Sequence, residues 1–458
     1  MNPFESNCAR RYSMLRSLVL SAALSFPAMT FGAVSESVLF SFPGFGIFAG
    51  GATPEAGLVR DAAGNLYGTA TGGGAFACNC GVVFMVSPPA SAGAVWTETI
   101  LHTFQGYPAD GGIPLAGLTF DSAGNLYGTT LIGGAAQAGT VFKLAPPAAG
   151  QTQWTESILY EFSGANGDGQ FPYSNLTVDA AGNLYGSSFL GGASNEGMAF
   201  ELLAPTGAAS AWSLVALHSF SGGPDGANPI SALTFDSQGN LYGTTFNDGV
   251  SGLTGGTVYK LTPSSGAFTE TVLHTFTGAV PGGTIDGALP YGNLVLDTKG
   301  DVFGTTLAGG GGQIIPGELS NAGAVFEVSP PSRSGAAWHE TLIHSFNGDT
   351  GDPSTTDGES PYGGLIFDAQ GNLFGTTAQG GSSDFGTVFS LSPPASGATS
   401  WTQTVLHNFQ GFPDGVGPYG SLLLDASGNL YGVTRNGTAL SVNSAQIGTL
   451  FDITLTGD

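Results

Sequence analysis

The chain is poor in positive charge and in cysteine. Of its 458 residues only 9 are Lys or Arg, against 33 Asp and Glu, and the net charge is -24 at pH 7. An acidic surface of this kind repels phosphate backbones, so we expect no nucleic-acid partner. With 3 cysteines in the whole chain, disulfides do not hold the fold together. Cys78 and Cys80 either form a local disulfide or stay free thiols, because two ligands do not complete a tetrahedral metal site.

Long apolar stretches are also missing, except for one near the N-terminus. Residues 18–31 are mostly apolar, follow a group of arginines and are too few to span a bilayer. This pattern is typical of a secretory signal. We therefore predict a signal peptide over residues 1–33, a mature domain over residues 34–458 and a secreted, periplasmic or cell-surface location. A buried apolar strand and an uncleaved anchor are the alternatives, and no transmembrane segment is predicted after the signal.

What the sequence does contain is a repeat. A phrase close to Gly-Asn-Leu-Tyr-Gly-Thr begins at Gly64, Gly124, Gly182, Gly239, Gly300, Gly371 and Gly428. The steps between copies are 60, 58, 57, 61, 71 and 57 residues. Repeats of this length form one continuous array, so we predict one folded unit despite the length of the chain. The 76 glycines lack the three-residue period of collagen, and 41% hydrophobic residues suffice for a large core.

Each repeat predicts four β-strands. In the second unit these are residues 117–121, 125–130, 139–144 and 154–162. The Asp-x-x-Gly-Asn between the first two strands predicts a tight hairpin, since Asp bonds backbone amides and Gly or Asn tolerates positive φ. The same aspartate recurs in every unit and is expected to be structural: Asp61, Asp121, Asp179, Asp236, Asp297, Asp368 and Asp425. No unit has a helical apolar period, so the predicted fold is all-β.

Seven units of four antiparallel strands predict a seven-bladed β-propeller rather than a stacked solenoid. Copies of the fourth strand lie between units, and the last unit has none after it. Residues 34–42 match the fourth-strand pattern, with Phe42 at the position of Phe104. We therefore predict that this N-terminal strand completes the seventh blade and closes the ring. All five tryptophans occupy one fourth-strand position, which favours packing between blades over a ligand cage.

The motifs Asp-x-x-Gly-Asn-Leu-Tyr-Gly-Thr-Thr, Gly-Thr-Val-Phe and Glu-Thr-x-Leu-His-x-Phe resemble the GloVer-type tandem repeats of bacterial exported "choice-of-anchor" proteins. The resemblance covers essentially all of the chain after the signal and implies an exported repeat protein with no assigned chemistry. The hairpin is also similar to that of NHL and related lactonase or lyase propellers. That similarity implies that the first strand of each blade lines the central channel, and it does not imply their catalysis.

The connections between blades carry a second motif, Asp-Gly-x-x-Pro. With the first strand innermost, these connections share one face with the Gly-rich loops, and ligands are expected at this loop face. The candidate binding residues there are Asp110, Asp168, Asp225, Asp286, Asp357 and Asp414. A ring of such carboxylates near the channel mouth could hold a hard cation. Regular repetition favours the alternative, a turn in which each Asp caps backbone amides.

One irregular loop supplies a separate calcium candidate. Asp349, Asp352 and Asp357 lie close together in the longest repeat but lack the full spacing of an EF-hand. A solvated loop is the favoured alternative for these three residues. Apart from this calcium candidate, no metal or other cofactor is predicted.

The histidines do not suggest catalysis. His102, His218, His274, His344 and His407 share one repeat position. Phe40 and Tyr160 fill that position elsewhere, which favours packing over proton transfer, and His339 lies off the pattern. The chain also lacks the sequence motifs of serine hydrolases, zinc proteases and P-loop enzymes, so no catalytic residue is predicted.

The sequence therefore predicts an exported, non-catalytic propeller that acts as a monomeric binding or interaction scaffold. Its partner is an unknown protein, glycan or small ligand. One alternative is a propeller enzyme of the lyase or lactonase-like hydrolase type that uses a metal in the channel. The other alternative is a structural protein of the cell envelope that self-associates.

Overall fold

The computed structural model describes residues 34–42, 50–74, 78–91, 93–207, 211–248, 255–278, 286–310, 322–333, 335–348, 357–395, 398–437 and 448–455. These residues form β-strands, turns and one 3-10 turn, Gly223–Asp225, and they contain no α-helix. Within this part of the chain, no helix has the length and apolarity that crossing a membrane requires. The predicted all-β class is confirmed.

The strands form seven antiparallel blades of four strands each, as the repeat predicts. The first strands are Val59–Arg60, Thr119–Phe120, Thr177–Val178, Thr234–Phe235, Val295–Leu296, Ile366–Phe367 and Leu423–Leu424. The second strands are Leu66–Ala70, Leu126–Thr130, Leu184–Gly191, Leu241–Asn247, Val302–Ala308, Leu373–Thr377 and Leu430–Thr434. The third strands are Val82–Ser87, Thr140–Ala145, Met198–Leu203, Thr257–Ser264, Ala324–Ser329, Thr387–Ser392 and Thr449–Leu455. The fourth strands are Thr97–Thr103, Thr155–Glu161, Ser213–Ser219, Ala267–Thr275, His339–Ser345, Thr402–Asn408 and, for blade 7, Val34–Ser41.

The connection that enters each blade pairs with the end of that blade's own second strand. In blades 1 and 2 the pairs are Gly51–Ala52 with Gly72–Gly73 and Gly111–Gly112 with Ile132–Gly133. In blades 3 to 5 the entering strands Gly169–Pro172, Ala227–Pro229 and Ala288–Pro290 pair directly with the second strands. Single bridges join Glu359 to Gln379 and Val416 to Asn436 in blades 6 and 7. The chain is therefore fixed before it reaches the channel.

The hairpin aspartate has the structural role that the sequence predicts. Asp121 Oδ1 accepts hydrogen bonds from the amides of Ala123 and Asn125, each at 2.9 Å. Its Oδ2 accepts from the side chains of Asn125 at 2.6 Å and Tyr127 at 3.0 Å. Burial alone would raise the pKa of Asp121, but these hydrogen bonds outweigh it and lower the pKa. Gly124 supplies the left-handed turn residue, with φ of 82°.

The second glycine of the repeat phrase makes room for an aromatic ring. A Cβ added to Gly128 would lie 2.6 Å from Cζ of Phe142, a fully buried residue of the third strand. The same contact recurs in every blade, in the pairs Gly68–Phe84, Gly128–Phe142, Gly186–Phe200, Gly243–Tyr259, Gly304–Phe326, Gly375–Phe389 and Gly432–Phe451. The repeat therefore keeps glycine here because any larger residue would displace the core ring.

The hydrophobic core lies between blades. The Phe that directly follows each fourth strand packs on the third-strand aromatic residue of the next blade, with ring centres 4.9 to 5.3 Å apart. The pairs are Phe42–Phe84, Phe104–Phe142, Phe162–Phe200, Phe220–Tyr259, Phe276–Phe326, Phe346–Phe389 and Phe409–Phe451. Burial of one such ring stabilises the fold by about 1.5–3 kcal/mol, so these interfaces hold the ring together.

The tryptophans pack between blades, as predicted. Trp154 lies against Tyr67 of the preceding blade, with ring centres 6.1 Å apart. Trp212, Trp338 and Trp401 make the corresponding contacts with Tyr127, Tyr242 and Phe303. Trp96 packs against the core between blades 7 and 1.

The N-terminal strand closes the ring, which confirms the prediction for residues 34–42. Val34 pairs with Leu455 and Ser41 with Thr449 in an antiparallel ladder. Beyond the ladder, the amide of Phe42 donates to the carbonyl of Gly448 at 3.0 Å. Blade 7 therefore has a complete fourth strand, as the other six blades do.

Cys78 and Cys80 form a disulfide, which is one of the two alternatives that the sequence left open. The bond lies in the loop between the second and third strands of blade 1. Cys80 is buried against the core between blades 1 and 2, whereas Cys78 is exposed. The bond stabilises one loop and spans no blade junction.

Candidate functional site

A proline in each connection fixes the residue that follows it at the channel. Pro114 packs so closely on Gly81 that a Cβ there would lie 2.5 Å from Pro114 Cδ. The same glycine-proline contact occurs in the pairs Gly139–Pro172, Gly197–Pro229, Gly256–Pro290, Gly323–Pro361, Gly386–Pro418 and Gly448–Pro54. These contacts explain why the repeat has Pro at the end of Asp-Gly-x-x-Pro and Gly at the start of Gly-Thr-Val-Phe. They also lock the entry angle of each inner strand, because Pro restricts φ.

The residues after these prolines form a ring at one mouth of the channel, which we call the collar. The collar consists of Glu55, Leu115, Tyr173, Ile230, Tyr291, Tyr362 and Tyr419. The mouth is a cavity of about 580 Å³ that also borders Thr53, Thr71, Asn79 and Arg435. A narrower space of about 90 Å³ continues below it between backbone segments and small side chains of the inner strands. The collar opens on the loop face, where the sequence predicted ligand binding.

The four collar tyrosines present aromatic surface at the mouth. The rings of Tyr291 and Tyr362 meet edge to face with centres 5.0 Å apart, and Tyr362 and Tyr419 are 4.6 Å apart. Tyr173 packs on Phe189, with centres 5.4 Å apart, and Phe246 packs against Tyr291 at 6.1 Å. Each of the four tyrosines is half-buried, so part of its side chain remains accessible from the cavity.

The collar carries one ion pair. Nε of Arg435 lies 3.0 Å from Oε1 of Glu55, and the guanidinium lies 5.2 Å from the ring centre of Tyr419. The hydroxyl of Thr71 donates to Glu55 Oε1 at 3.4 Å, and it shares a hydrogen bond of 2.7 Å with Thr53. Burial raises the pKa of Glu55, and the positive charge of Arg435 acts in the opposite direction. The net charge of the pair is zero when both groups are ionised.

The hydroxyls of Tyr173, Tyr291 and Tyr362 keep their protons at physiological pH. Burial raises the pKa values of Tyr173, Tyr291 and Tyr362, and nearby acids or tyrosines add to each shift. Within the described residues, no hydrogen bond engages the hydroxyls of these three tyrosines. They are therefore neutral groups that can both donate and accept hydrogen bonds to a ligand.

The six aspartates of Asp-Gly-x-x-Pro are not grouped around the channel. Each pairs with a residue of an outer strand: His102–Asp110 at 3.3 Å, Tyr160–Asp168 at 3.2 Å, His218–Asp225 at 2.8 Å, His274–Asp286 at 3.3 Å, His344–Asp357 at 3.0 Å and His407–Asp414 at 3.1 Å. Each also caps backbone amides, as Asp110 does for Gln105 at 2.8 Å and Gly111 at 2.6 Å. Binding of a ligand by these residues stays a prediction.

The calcium candidate is only partly covered by the structure. Asp349 and Asp352 lie outside the described residues. Asp357 accepts a hydrogen bond of 2.8 Å from the amide of Asn347 and faces His344. Calcium binding by these three residues therefore stays a prediction as well.

Sequence reasoning missed the collar and the His–Asp pairs, although a signal for each is present. Four of the seven residues that follow a connection proline are tyrosines, a pattern visible once the prolines are aligned. The repeated His and the repeated Asp are separated by 7 to 13 residues, and both recur in the same five units. The histidine rings do pack, as expected, on the Phe two residues later, for example His102 on Phe104 at 4.7 Å.

Comparison with known proteins gives one family match. The Gloeobacter/Verrucomicrobia repeat is matched over residues 28–200 and 147–355. No curated protein matches the chain. A proposed 6-phosphogluconolactonase from Bacteroides uniformis is similar at 12% identity and a TM-score of 0.45, with 76% of this chain and 83% of that chain covered. A proposed oxidoreductase (glucose dehydrogenase) from Thermus thermophilus is similar at 14% identity and a TM-score of 0.39, with 91% and 100% covered. We draw no function from either similarity.

Proposed function

Because this chain belongs to the Gloeobacter/Verrucomicrobia repeat family and folds as a closed seven-bladed propeller, we propose that it is a non-catalytic binding protein. Its ligand is a neutral, polyhydroxylated molecule of the short-saccharide class, which enters the collar from the loop face. The observation that carries the proposal is the set of four tyrosines around one mouth of about 580 Å³.

The size and lining of the mouth suit such a ligand. Small-molecule sites are typically concave, about 300–1,000 Å³ in volume and lined by aromatic groups with a few placed polar groups. The rings of Tyr291, Tyr362 and Tyr419 offer apolar faces for the C–H surface of a sugar ring. The neutral hydroxyls of Tyr291 and Tyr362, together with Thr53 and Thr71, supply donors and acceptors for sugar hydroxyls.

The electrostatics favour a neutral ligand over an ionic one. The only carboxylate among the collar residues is Glu55, and Arg435 already balances its charge. A strongly anionic ligand would face a chain of net charge -24, and a cation would compete with Arg435 for Glu55. The same pairing supports a binding role rather than acid–base catalysis, because the collar offers no second carboxylate to act with Glu55.

We also propose that the protein acts outside the cytoplasm as a monomer. The basic and apolar pattern of residues 10–31 supports export. Closure of the ring by the N-terminal strand leaves every blade with two neighbours, which supports a ring that forms without a second copy of the chain.

A binding experiment tests the proposed ligand class. The mature protein would be screened against a panel of neutral and charged glycans, and the best ligands measured by titration calorimetry. We expect neutral saccharides to bind and Tyr362→Ala to weaken binding at least tenfold, because the ring loses its stacking surface. Tyr362→Phe should retain most of the affinity if the ring dominates. The exposed Tyr107, which lies outside the collar, provides the matched control Tyr107→Ala with unchanged affinity.

Two results would contradict the proposal. Binding that is unaffected by Tyr362→Ala would place the ligand away from the collar. Cleavage or elimination products from a bound saccharide, detected by mass spectrometry after long incubation, would show an enzyme rather than a binding protein.

A further inference from the structure

Between certain blades, away from the collar, three metal-ligating side chains meet. At the junction of blades 1 and 2 they are His102 on the fourth strand of blade 1, Asp110 in the connection and Glu156 on the fourth strand of blade 2. One ligand atom from each lies within 4.8 Å of the others. The junction of blades 6 and 7 repeats the arrangement with His407, Asp414 and Glu36. We call these two clusters the junction trios.

The backbone holds the aspartate of each trio in place. Asp110 accepts hydrogen bonds from the amides of Gln105 and Gly111, and Asp414 accepts from the amide of Gln410 at 2.9 Å. Each aspartate is buried and faces a histidine. Oδ2 of Asp110 lies 3.3 Å from Nε2 of His102, and both carboxylate oxygens of Asp414 lie 3.1 Å from Nε2 of His407. Two ligands about 2.0–2.1 Å from a tetrahedral zinc ion lie roughly 3.3 Å apart.

The glutamate of each trio has a buried oxygen with no protein partner. Oε1 of Glu156 and Oε1 of Glu36 are inaccessible to solvent and make no hydrogen bond. A buried acceptor left unpaired destabilises the folded state, and a charged one does so more strongly, so a partner is expected. Among the described residues, no Lys or Arg forms an ion pair with either trio.

Another junction of the same chain shows how this glutamate behaves without the other two groups. Glu98 occupies the same fourth-strand position as Glu156, at the junction of blades 7 and 1. There Phe40 stands at the histidine position, and the connection lacks the Asp-Gly motif. Oε1 of Glu98 instead accepts a hydrogen bond of 3.0 Å from the amide of Gly51. Oε1 is also unpaired in Glu270 and Glu340, at the two junctions that have the same three residue types, so the unpaired oxygen accompanies the His–Asp pair and is not a property of the strand position alone.

We propose that each junction trio binds a divalent transition metal, for which zinc is the best fit. His Nε2 and one oxygen from each of the two carboxylates supply three ligands, and solvent supplies a fourth. An imidazole with two carboxylates suits zinc, and an ion of charge +2 balances the two carboxylates. Because the glutamate and the His–Asp pair come from neighbouring blades, the ion links those blades.

The remaining junctions are not expected to bind in the same way. His218–Asp225–Glu270 and His274–Asp286–Glu340 have the same residue types, but their ligand atoms do not all fall within 4.8 Å of one another. Tyr160–Asp168–Leu214 and His344–Asp357–Gln403 each lack the glutamate. The inference therefore predicts about two tight sites per chain.

Zinc titration of the mature protein tests the inference. After chelator treatment and desalting, zinc would be titrated by calorimetry in excess magnesium, which occupies weak sites on the acidic surface. We expect about two tightly bound ions for the wild type and about one for Glu156→Gln. The double variant that carries both Glu36→Gln and Glu156→Gln should bind none. The matched control Glu98→Gln should still bind two. Cobalt bound in place of zinc should give the visible absorption of a low-symmetry four-coordinate site. This absorption should decrease in the variants in proportion to the loss of bound zinc.

Melting curves by circular dichroism establish that each variant is folded before its stoichiometry is counted. The inference fails if the wild type binds no zinc at millimolar concentration. It also fails if folded Glu156→Gln and Glu98→Gln bind the same number of ions, because the ion would then lie elsewhere.

Discussion

Arg435, which follows the second strand of blade 7, lies 3.0 Å from Glu55, which precedes the first strand of blade 1. The pair joins the first and last blades at the channel. The N-terminal strand joins the same two ends of the chain at the outer edge, where it completes blade 7. The collar therefore depends on ring closure, because its residues come from all seven units and lie about 60 residues apart along the chain.

Removing the side chain of Arg435 should weaken ligand binding at the collar more than it lowers the stability of the fold. Arg435→Gln leaves Glu55 half-buried without its counter-charge, so the pKa of that carboxyl should rise further. Because the pair is partly exposed, we expect a loss of stability of at most about 1 kcal/mol. Ligand affinity should fall more than tenfold in Arg435→Gln, and it should partly recover in the double variant that also carries Glu55→Gln. Equal affinities of the wild type, the single variant and the double variant would show that the ion pair does not contribute to ligand binding.

The glycine of the repeat phrase should be sensitive to one added methyl group. Gly128→Ala places a Cβ 2.6 Å from Phe142 and 3.1 Å from Leu118. Overpacking of this kind costs about 1–3 kcal/mol, measured as the change in the free energy of unfolding in urea. A smaller side chain in place of the Phe142 ring should relieve the clash. The double variant Gly128→Ala, Phe142→Leu should therefore lose less free energy of unfolding than the sum of the losses in the two single variants. Additive losses would mean that the ring does not require the glycine.

The hairpin aspartates should make stability fall in acid. Hydrogen bonds hold the pKa of Asp121 below that of an unfolded chain, which is about 3.9. The contribution of Asp121 is therefore present above that pH and is lost as the pH falls through its folded value. Asp121→Asn should be less stable than the wild type at neutral pH, and the difference should shrink as the pH falls through the folded pKa of Asp121. Unfolding curves of the two proteins measured at several pH values check this, and a stability difference that is the same at all pH values would contradict the role of Asp121.

Glu340 should produce the opposite pH dependence. Burial raises the pKa of Glu340 to about 7, with His274 opposing and Asp286 adding to the shift. The folded state thus holds the proton more tightly than the unfolded chain, so stability declines as the pH rises from about 4.3 to about 7. Glu340→Gln should be more stable than the wild type at about pH 8 and similar at about pH 4. Denaturant midpoints measured in EDTA give the comparison, and an offset that is equal at both pH values would contradict it.

The closing junction should be as important as an ordinary one. Phe42 and Phe104 are both fully buried at equivalent positions, with ring contacts of 4.9 Å to Phe84 and 5.2 Å to Phe142. Truncation of a buried Phe to Ala typically costs about 3–5 kcal/mol. We expect Phe42→Ala and Phe104→Ala to lower the melting temperature by similar amounts. A much smaller effect of Phe42→Ala would indicate that the ring holds without the N-terminal strand.

The fold could be predicted because each unit repeats its own signals. The Asp121 hairpin, the Trp154 packing position and the unpaired last unit are local patterns, and seven copies exclude chance. Closure by residues 34–42 followed from counting strands. These expectations required no knowledge of which residues meet across the ring.

The candidate site is harder to predict than the fold because it depends on contacts between units. Tyr173, Tyr291 and Tyr362 look like variable residues after a proline until the ring places them at one mouth. In the sequence, His102 has the pattern of a packing residue and Asp110 has the pattern of a turn residue. Glu156 joins them from the next blade, 46 residues after Asp110, and strand spacing alone gives no sign of that contact.

A crystal structure with a bound saccharide would test the central claim most directly. The best neutral ligand from the glycan panel would be co-crystallised with the protein. We predict density for the ligand in the collar, with a sugar ring stacked on Tyr291, Tyr362 or Tyr419 and sugar hydroxyls near Glu55 and Arg435. Density on the outer strands or on the hairpin face, with an empty collar, would contradict it.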